Sequence, residues 1–318
     1  MKKKKKTRPK FRRSRSLTLP ELQHSKTAVL NTLGSLESKR TYEHAMNEFI
    51  AWYCSEPRLA LNRVVVLRYR LFLEGLRLAP NTINLRLTAI RRLACEAADG
   101  GLLSADLVAG IRRVRGVKQL GIRVGNWLSP EQSTELLSKI SAESPRGKRD
   151  VAILALLLGC GLRRSELAGL DIGQIQQRDQ RWVIVDLIGK GGRIRTVPMP
   201  SWVKAFLDQW TSAARITGGK LLRPIRKNGD IWGRRLTQNV IWYTVRLCAK
   251  RIGINNLSPH DLRRSCARLC HNSGGELEQI QFLLGHSSVQ TTERYIGCKQ
   301  SLSIAVNDRI QLNWAATG

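Results

Sequence analysis

Phe282-Leu-Leu-Gly-His-Ser-Ser-Val-Gln-Thr-Thr-Glu-Arg-Tyr295 reads as the end of one helix, a break, and the start of another. Leu283 and Leu284 close an apolar face. Gly285 stops the helix, because glycine takes the left-handed geometry of a C-terminal cap without a Cβ penalty. Ser287 or Ser288 then caps the next helix. His286 lies in the break, where an imidazole need not enter a core. Tyr295 falls about two turns into the second helix. Taken alone, a tyrosine there is a packing residue; the stretches elsewhere in the chain change that reading.

With 318 residues, 42% of them hydrophobic, the chain is long enough for two domains with real cores. Its formal charge is +30, and the first sixteen residues hold ten Lys or Arg and no acid. Without those ten the remainder still carries +20, so the excess belongs to folded parts as well. A phosphate polymer is the natural partner of such a surface, with an anionic membrane as runner-up. No apolar run approaches the length of a spanning helix, and no signal peptide follows the basic start. A cytoplasmic, nucleoid-associated protein is therefore expected, with no membrane partner. Seven cysteines, an odd number without framework spacing, fit reduced thiols, several of them (Cys54, Cys95, Cys248) in apolar helical runs. Cys266, Cys270 and His271 fall at one-turn spacing but lack a fourth ligand, so no metal is expected there.

Residues 1–34 read as a basic tail, expected to be disordered; its lysines either solvate it or lie along DNA phosphate. Over 35–115 the period is helical throughout. Tyr42, Met46, Phe49 and Tyr53 recur at three- and four-residue steps. Asn62 caps a helix carrying Val64, Leu67 and Leu71. Pro80 and Asn81 start another with Ile83, Leu87, Ile90 and Ala94 inward, and a short helix follows Ser104. The result is a four-helix, SAM-like, all-α module. Arg86, Arg91 and Arg92 on its outer face, with Arg112 and Arg113 at its end, are either a solvated face or contacts to DNA backbone. We favour the contacts. A Gly- and Arg-rich linker is expected over 116–127.

The second domain, 128–318, opens on a capping box, Ser129-Pro-Glu-Gln132, with Leu128 as its hydrophobic staple. An apolar helix at 148–158 ends in Gly159-Cys-Gly161, and a short helix begins near Arg163. Residues 182–188 alternate and are β-branched, a strand; Gly189-Lys-Gly-Gly192 turns the chain, and 194–197 returns as its partner. Helices follow from Pro200, Thr237 and Ser258, and a last one is expected at 302–312. The domain is thus mixed α/β, mostly helical, with a small antiparallel sheet, and the whole chain is mainly α.

The polar groups of this domain suit phosphoryl chemistry. Two arginines, Arg163 and Arg263, can fork onto the equatorial oxygens of a pentavalent phosphate. A tyrosine oxygen is a nucleophile that forms a covalent ester, and Lys190 at a hairpin tip can protonate a leaving alkoxide. No cluster of Asp and Glu is placed to hold Mg²⁺. Gly189-Lys190 lacks the spaced glycine and following Ser/Thr of a P-loop.

Arg163 in Gly-Leu-Arg-Arg-Ser-Glu-Leu, Lys190 in Gly-Lys-Gly-Gly-Arg, His260-Asp-Leu-Arg263-Arg, Leu-Gly-His286-Ser-Ser and Tyr295 nine residues later form an ordered series. That series resembles the motifs of the tyrosine recombinases, the phage integrase family, across about 129–296. The helical module resembles the family's core-binding domain more loosely. The resemblance implies the DNA breaking-rejoining fold. It implies a site-specific DNA recombinase that integrates or excises a mobile element, and needs no cofactor, neither metal nor ATP. Tyr295 would form the 3′-phosphotyrosyl bond, and Arg163 and Arg263 would clamp the phosphate. Lys190 would be the general acid, His260 would assist proton transfer, and His286 would bond the phosphate. Glu166 would buttress Arg163. The implied partners are double-stranded DNA, three further copies in a tetramer on two duplexes joined by a Holliday junction, and possible directionality factors. Off DNA a monomer or dimer is expected, with 302–312 as the candidate docking helix. Ile296-Gly297 departs from the common Thr-His after the tyrosine, without touching a catalytic role. Two other readings stand: a type IB topoisomerase-like relaxing enzyme, and a DNA-binding protein that no longer cuts.

Overall fold

The computed structural model describes residues 16–55, 60–118 and 126–297, apart from the side chains of Lys190 and Arg294. The basic start and the docking helix expected at 302–312 lie outside the described residues. The chain divides into two compact units, Met1–Ile122 and Arg123–Gly318.

Among its described residues the first unit is all-helical, with α1 (Leu19–Asn31), α2 (Leu36–Cys54), α3 (Arg63–Gly75), α4 (Pro80–Asp99) and α5 (Ala105–Arg112). The first of these corrects the sequence reading, which put 1–34 in a disordered tail and counted four helices. Thr18 opens α1: its backbone N–H donates to Glu21 Oε2 at 2.7 Å. Leu22, Ser25 and Val29 are buried along one stripe. The lysine run hid a short amphipathic segment whose burial outweighs the charge before it.

In α3, Asn62 Oδ1 accepts from the N–H groups of Val64 and Val65 at 2.8 and 3.1 Å. The inward face is Val65, Val66, Tyr69 and Leu73, while Val64, Leu67 and Leu71 are exposed. The expected stripe was thus rotated by a residue or two. An aromatic cluster decides the rotation: Tyr69 meets Phe49 edge-on at 5.0 Å and Trp52 at 4.9 Å, both from α2. Each such pair adds roughly 0.5–1.5 kcal/mol beyond the area it buries. Leaving α5, the chain is clipped to the unit by side chains. Arg91 donates to the Val114 carbonyl, Arg70 to the Arg115 carbonyl at 3.0 Å, and Asn84 Nδ2 to the Val117 carbonyl at 3.0 Å.

The second unit is built round α7 (Pro145–Gly159), following α6 (Pro130–Ser138). Every residue from Val151 to Leu158 is buried, as expected of a helix apolar on all sides. Then come α8 (Arg164–Gly169), β1 (Ile175–Arg178), β2 (Arg181–Ile188), β3 (Ile194–Pro198) and α9 (Ser201–Ala213). The sheet is antiparallel in the order β1-β2-β3. Its first strand escaped the sequence reading: Ile-Gln-Gln-Arg carries little strand signal, and the turn uses Asp179 and Gln180 at φ +46° and +60° instead of glycine. Among the described residues four helices follow: α10 (Gln238–Arg251), α11 (Pro259–Asn272), α12 (Leu277–Leu284) and α13 (Val289–Ile296). Gly159 lets α7 and α9 close up, since a Cβ there would fall 2.4 Å from Val203 Cγ2. No helix of the described residues is long and apolar enough to cross a membrane.

Candidate active site

Three chain breaks converge on Arg163. The first follows α7, where Gly161 (φ +58°) leaves no room for a Cβ, which would meet Leu284 Cδ2 at 2.8 Å. That turn delivers Arg163 to the N-terminus of α8. The second is the β2–β3 hairpin. The third is Gly285, left-handed at φ 62°, ψ 47°, which ends α12 and turns the chain into α13. Ser288 is the N-cap residue of α13, though its hydroxyl meets that of Thr291, at 3.1 Å, instead of a backbone N–H.

Arg163 donates through Nη1 to Glu166 Oε1 at 2.7 Å and through Nη2 to the Gly285 carbonyl at 3.3 Å. Arg263, on α11, is 1% exposed and donates to the carbonyls of Gly161 and Leu284. One arginine thus ties together the ends of α7 and α12. Burial, and then Arg163, lower its guanidinium to about 10, still charged at neutral pH.

The Tyr295 hydroxyl lies 3.1 Å from His260 Nε2 and 3.3 Å from the His260 carbonyl oxygen. Burial pushes the phenol above its ordinary value, against the pull of Arg263, Arg264 and Arg163. His260 moves the other way: burial, with Arg264 and Arg263, lowers its imidazole. A neutral His260 beside the phenol can therefore accept its proton. His286 Nδ1 sits 3.0 Å from the Thr292 hydroxyl, and the His286 and Tyr295 rings meet edge-on at 5.0 Å. Burial, Arg263 and Arg163 push His286 down to about 4, so it too is neutral at pH 7. A cleft of about 400 Å³, lined in part by Arg163, Arg164, Gln238, Trp242, His260 and Arg263, opens here.

The structure therefore brings Arg163, Glu166, His260, Arg263, His286 and Tyr295 together from α8, α11, α13 and the turn before α13. The Lys190 side chain lies outside the described residues. Its backbone neighbour Gly189 is at the site, since a Cβ there would fall 3.2 Å from Arg163 Nη1.

Residues 126–301 match the phage integrase family. The chain belongs to that family. A tyrosine recombinase of Synechocystis sp. is 30% identical, over 84% of this chain and 88% of its own. The XerD tyrosine recombinase of Shewanella oneidensis is 34% identical, over 66% and 68% respectively. In fold, the chain is similar to the XerH site-specific recombinase bound to a palindromic difH substrate (TM-score 0.68, 21% identity, 87% of this chain and 80% of that one). It is also similar to a lambda integrase dimer bound to a COC′ core site (TM-score 0.67, 16% identity, 89% and 78%).

Two residues of this tyrosine recombinase escaped the sequence reading. Arg195 of β3 sends Nη1 and Nη2 to the two Glu166 oxygens, both at 2.9 Å, and Nε to the Leu283 carbonyl at 3.2 Å. Burial alone would raise the Glu166 carboxyl; the hydrogen bonds from Arg195 and Arg163 bring it down to about 2. Strand alternation was the available signal, because Arg195 shares the inward face with buried Val197. The second is Arg264, whose guanidinium carbon lies 5.0 Å from the centre of the Tyr295 ring. Nothing in the order of residues marks it out from its neighbour Arg263.

In the helical unit, the five arginines expected at DNA divide into two groups. Arg86 Nη1 is 3.8 Å from Glu48 Oε2 and its side chain is 12% exposed; Arg92 lies over the Tyr42 ring at 5.3 Å; Arg91 holds Val114. Arg112 and Arg113 are exposed and line a groove with Arg63, Arg70, Arg91 and Arg115.

Proposed function

We propose that this tyrosine recombinase acts on double-stranded DNA as a site-specific strand transferase, through a covalent 3′-phosphotyrosyl intermediate. The observation that carries the reading is the Tyr295 hydroxyl 3.1 Å from a His260 whose imidazole is held below its ordinary value, at the edge of a cleft bounded by Arg163 and Arg263.

In the proposed step the Tyr295 oxygen attacks the scissile phosphorus as its proton passes to His260. Arg163 and Arg263 hold the non-bridging oxygens, which gain charge as the pentavalent state forms. His286, neutral, donates one further hydrogen bond. The bond from phosphorus to the 5′-oxygen breaks, and Lys190 supplies the proton that oxygen takes up. One phosphodiester becomes one phosphotyrosyl ester, so bond energy is conserved and no nucleotide is consumed. Attack by the 5′-hydroxyl of a second duplex reverses the step on a new strand; two rounds among four protomers pass through a Holliday junction. Integration or excision of a mobile element is the role this fits.

The exposed arginine groove of the helical unit supports DNA as the partner, since it presents guanidinium forks for phosphate. The test is a duplex carrying the short inverted repeats that flank the coding region, incubated with the protein and denatured in detergent. A protein–DNA adduct is expected from the wild type and none from Tyr295→Phe. An adduct in that variant removes Tyr295 from its role. Relaxation of supercoiled plasmid without any repeat would favour the topoisomerase-like reading instead.

A further inference from the structure

We propose that Arg264 is a positioning residue for the tyrosine nucleophile: its guanidinium covers one face of the Tyr295 ring, holds the hydroxyl toward His260 and favours the phenolate. The proposal rests on the reading of Tyr295 given above, and adds a residue outside the arginine clamp.

The geometry comes from one face of α11. His260 and Arg264 are four residues apart and so project side by side. His260 meets the Tyr295 ring edge-on at 5.1 Å, and His286 meets it edge-on at 5.0 Å. Arg264 takes the remaining approach, over the ring at 5.0 Å. Arg263 acts differently: it donates to two backbone carbonyls and meets the phenol at its hydroxyl, whereas the ring face is met by Arg264.

Arg264 is itself held in place. Its Nη1 lies 3.4 Å from Asp261 Oδ1, and its side chain is 22% exposed. Asp261 Oδ2 in turn accepts from the Ser258 hydroxyl at 2.6 Å and the Ser258 N–H at 3.0 Å. The cap that starts α11 therefore fixes a carboxylate, the carboxylate fixes a guanidinium, and the guanidinium fixes the ring.

A cation over a phenol face is attracted by the ring's quadrupole. It is attracted far more by the phenolate, since a full negative charge then lies beneath it in a partly desolvated site. Arg264 therefore stabilises the ionised state more than the neutral one, the sign a nucleophile needs. The other charged or titratable groups facing the phenol are His260 and Arg263 on α11, His286 from the turn after α12, and Arg163 from the start of α8. Both histidines are neutral at pH 7, which leaves, among the described side chains, the three arginines as its cations.

The test reads Tyr295 directly. In protein labelled with ¹³C at the tyrosine ζ-carbon there are five tyrosines, and Tyr295→Phe identifies the resonance. Arg264→Gln is expected to raise the Tyr295 titration midpoint by about one pH unit, and Arg264→Lys to restore at least half of that. Asp261→Asn, which frees Arg264 without touching the ring, should raise it by a smaller amount and covers the case in which Arg264→Gln folds poorly. Adduct formation by Arg264→Gln should slow about tenfold near neutrality and recover as pH rises, with DNA affinity unchanged. An unmoved midpoint in Arg264→Gln overturns the proposal, as does a slower adduct step whose pH profile matches the wild type. A wild-type chain that forms no adduct overturns the nucleophile reading itself, whereas the titration arm reports on Arg264 alone.

Discussion

Arg195 and Glu166 meet through two parallel hydrogen bonds of 2.9 Å, nearly out of solvent, with side-chain exposures of 10% and 2%. Glu166 also accepts from the Arg163 backbone N–H and guanidinium, both at 2.7 Å. One carboxylate thus holds an arginine of the cleft on one side and a strand of the sheet on the other. Replacing Glu166 by Gln leaves two guanidinium groups facing a neutral amide. The expected loss is about 3–5 kcal/mol of unfolding free energy, read by urea denaturation, because a buried ion is stranded. A loss below about 1 kcal/mol would mean that the site relaxes around the change.

Acid should unfold the second unit in two stages. His286 is lowered from 6.5 to about 4, so the unfolded chain binds a proton there that the folded chain refuses. Stability from this source is complete above about 6.5 and falls as pH drops toward 4. Glu166, lowered from 4.5 to about 2, keeps its contribution above 4.5 and loses it between 4.5 and 2. His286→Asn should make the upper stage shallower, to which the lowered His260 also contributes, and leave the lower, as read by thermal unfolding across that range; an unchanged upper slope assigns that stage to groups other than His286.

Gly285→Ala should damage both fold and site. The residue sits at φ +62°, and a Cβ would lie 2.9 Å from Arg195 Cδ. Left-handed strain plus the displaced arginine should cost about 1–3 kcal/mol, and the adduct step should fall further than DNA binding. Equal falls in both would make the glycine a matter of folding alone.

Arg163→Ala separates clamp from anchor. A residue that meets charge developing in the transition state should lose about a hundredfold or more in adduct rate with little change in affinity. Equal losses in the two measurements would make Arg163 a ground-state phosphate contact only.

The helical unit offers a contrast between arginines of the same sequence class. Arg112→Gln with Arg113→Gln should lower the dependence of log affinity on log salt by about 0.9 for each phosphate contact removed. Arg86→Gln, in a side chain turned toward Glu48 and Tyr69, should leave that slope alone and lower stability instead. A slope that responds to Arg86 would place DNA on the opposite face.

By itself the sequence determined what is local or periodic. The capping box at Ser129, the apolar run of α7, the β2–β3 hairpin and the glycine stop at 285 follow from spacing and backbone freedom, and the ordered motifs picked out the residues that meet at Tyr295. Tertiary structure decided what depends on contacts between distant segments. Tyr69 chose the inward face of α3 by meeting Phe49 and Trp52 of another helix. Residues 19–31 became a helix only because Leu22 and Val29 found a core to enter. Arg86, Arg112 and Arg264 look alike as letters in a basic chain; one is turned to a carboxylate, one is exposed in a groove, and one lies over a tyrosine ring. An arginine's long side chain takes its role from the charges and rings within its reach, and those are set by packing.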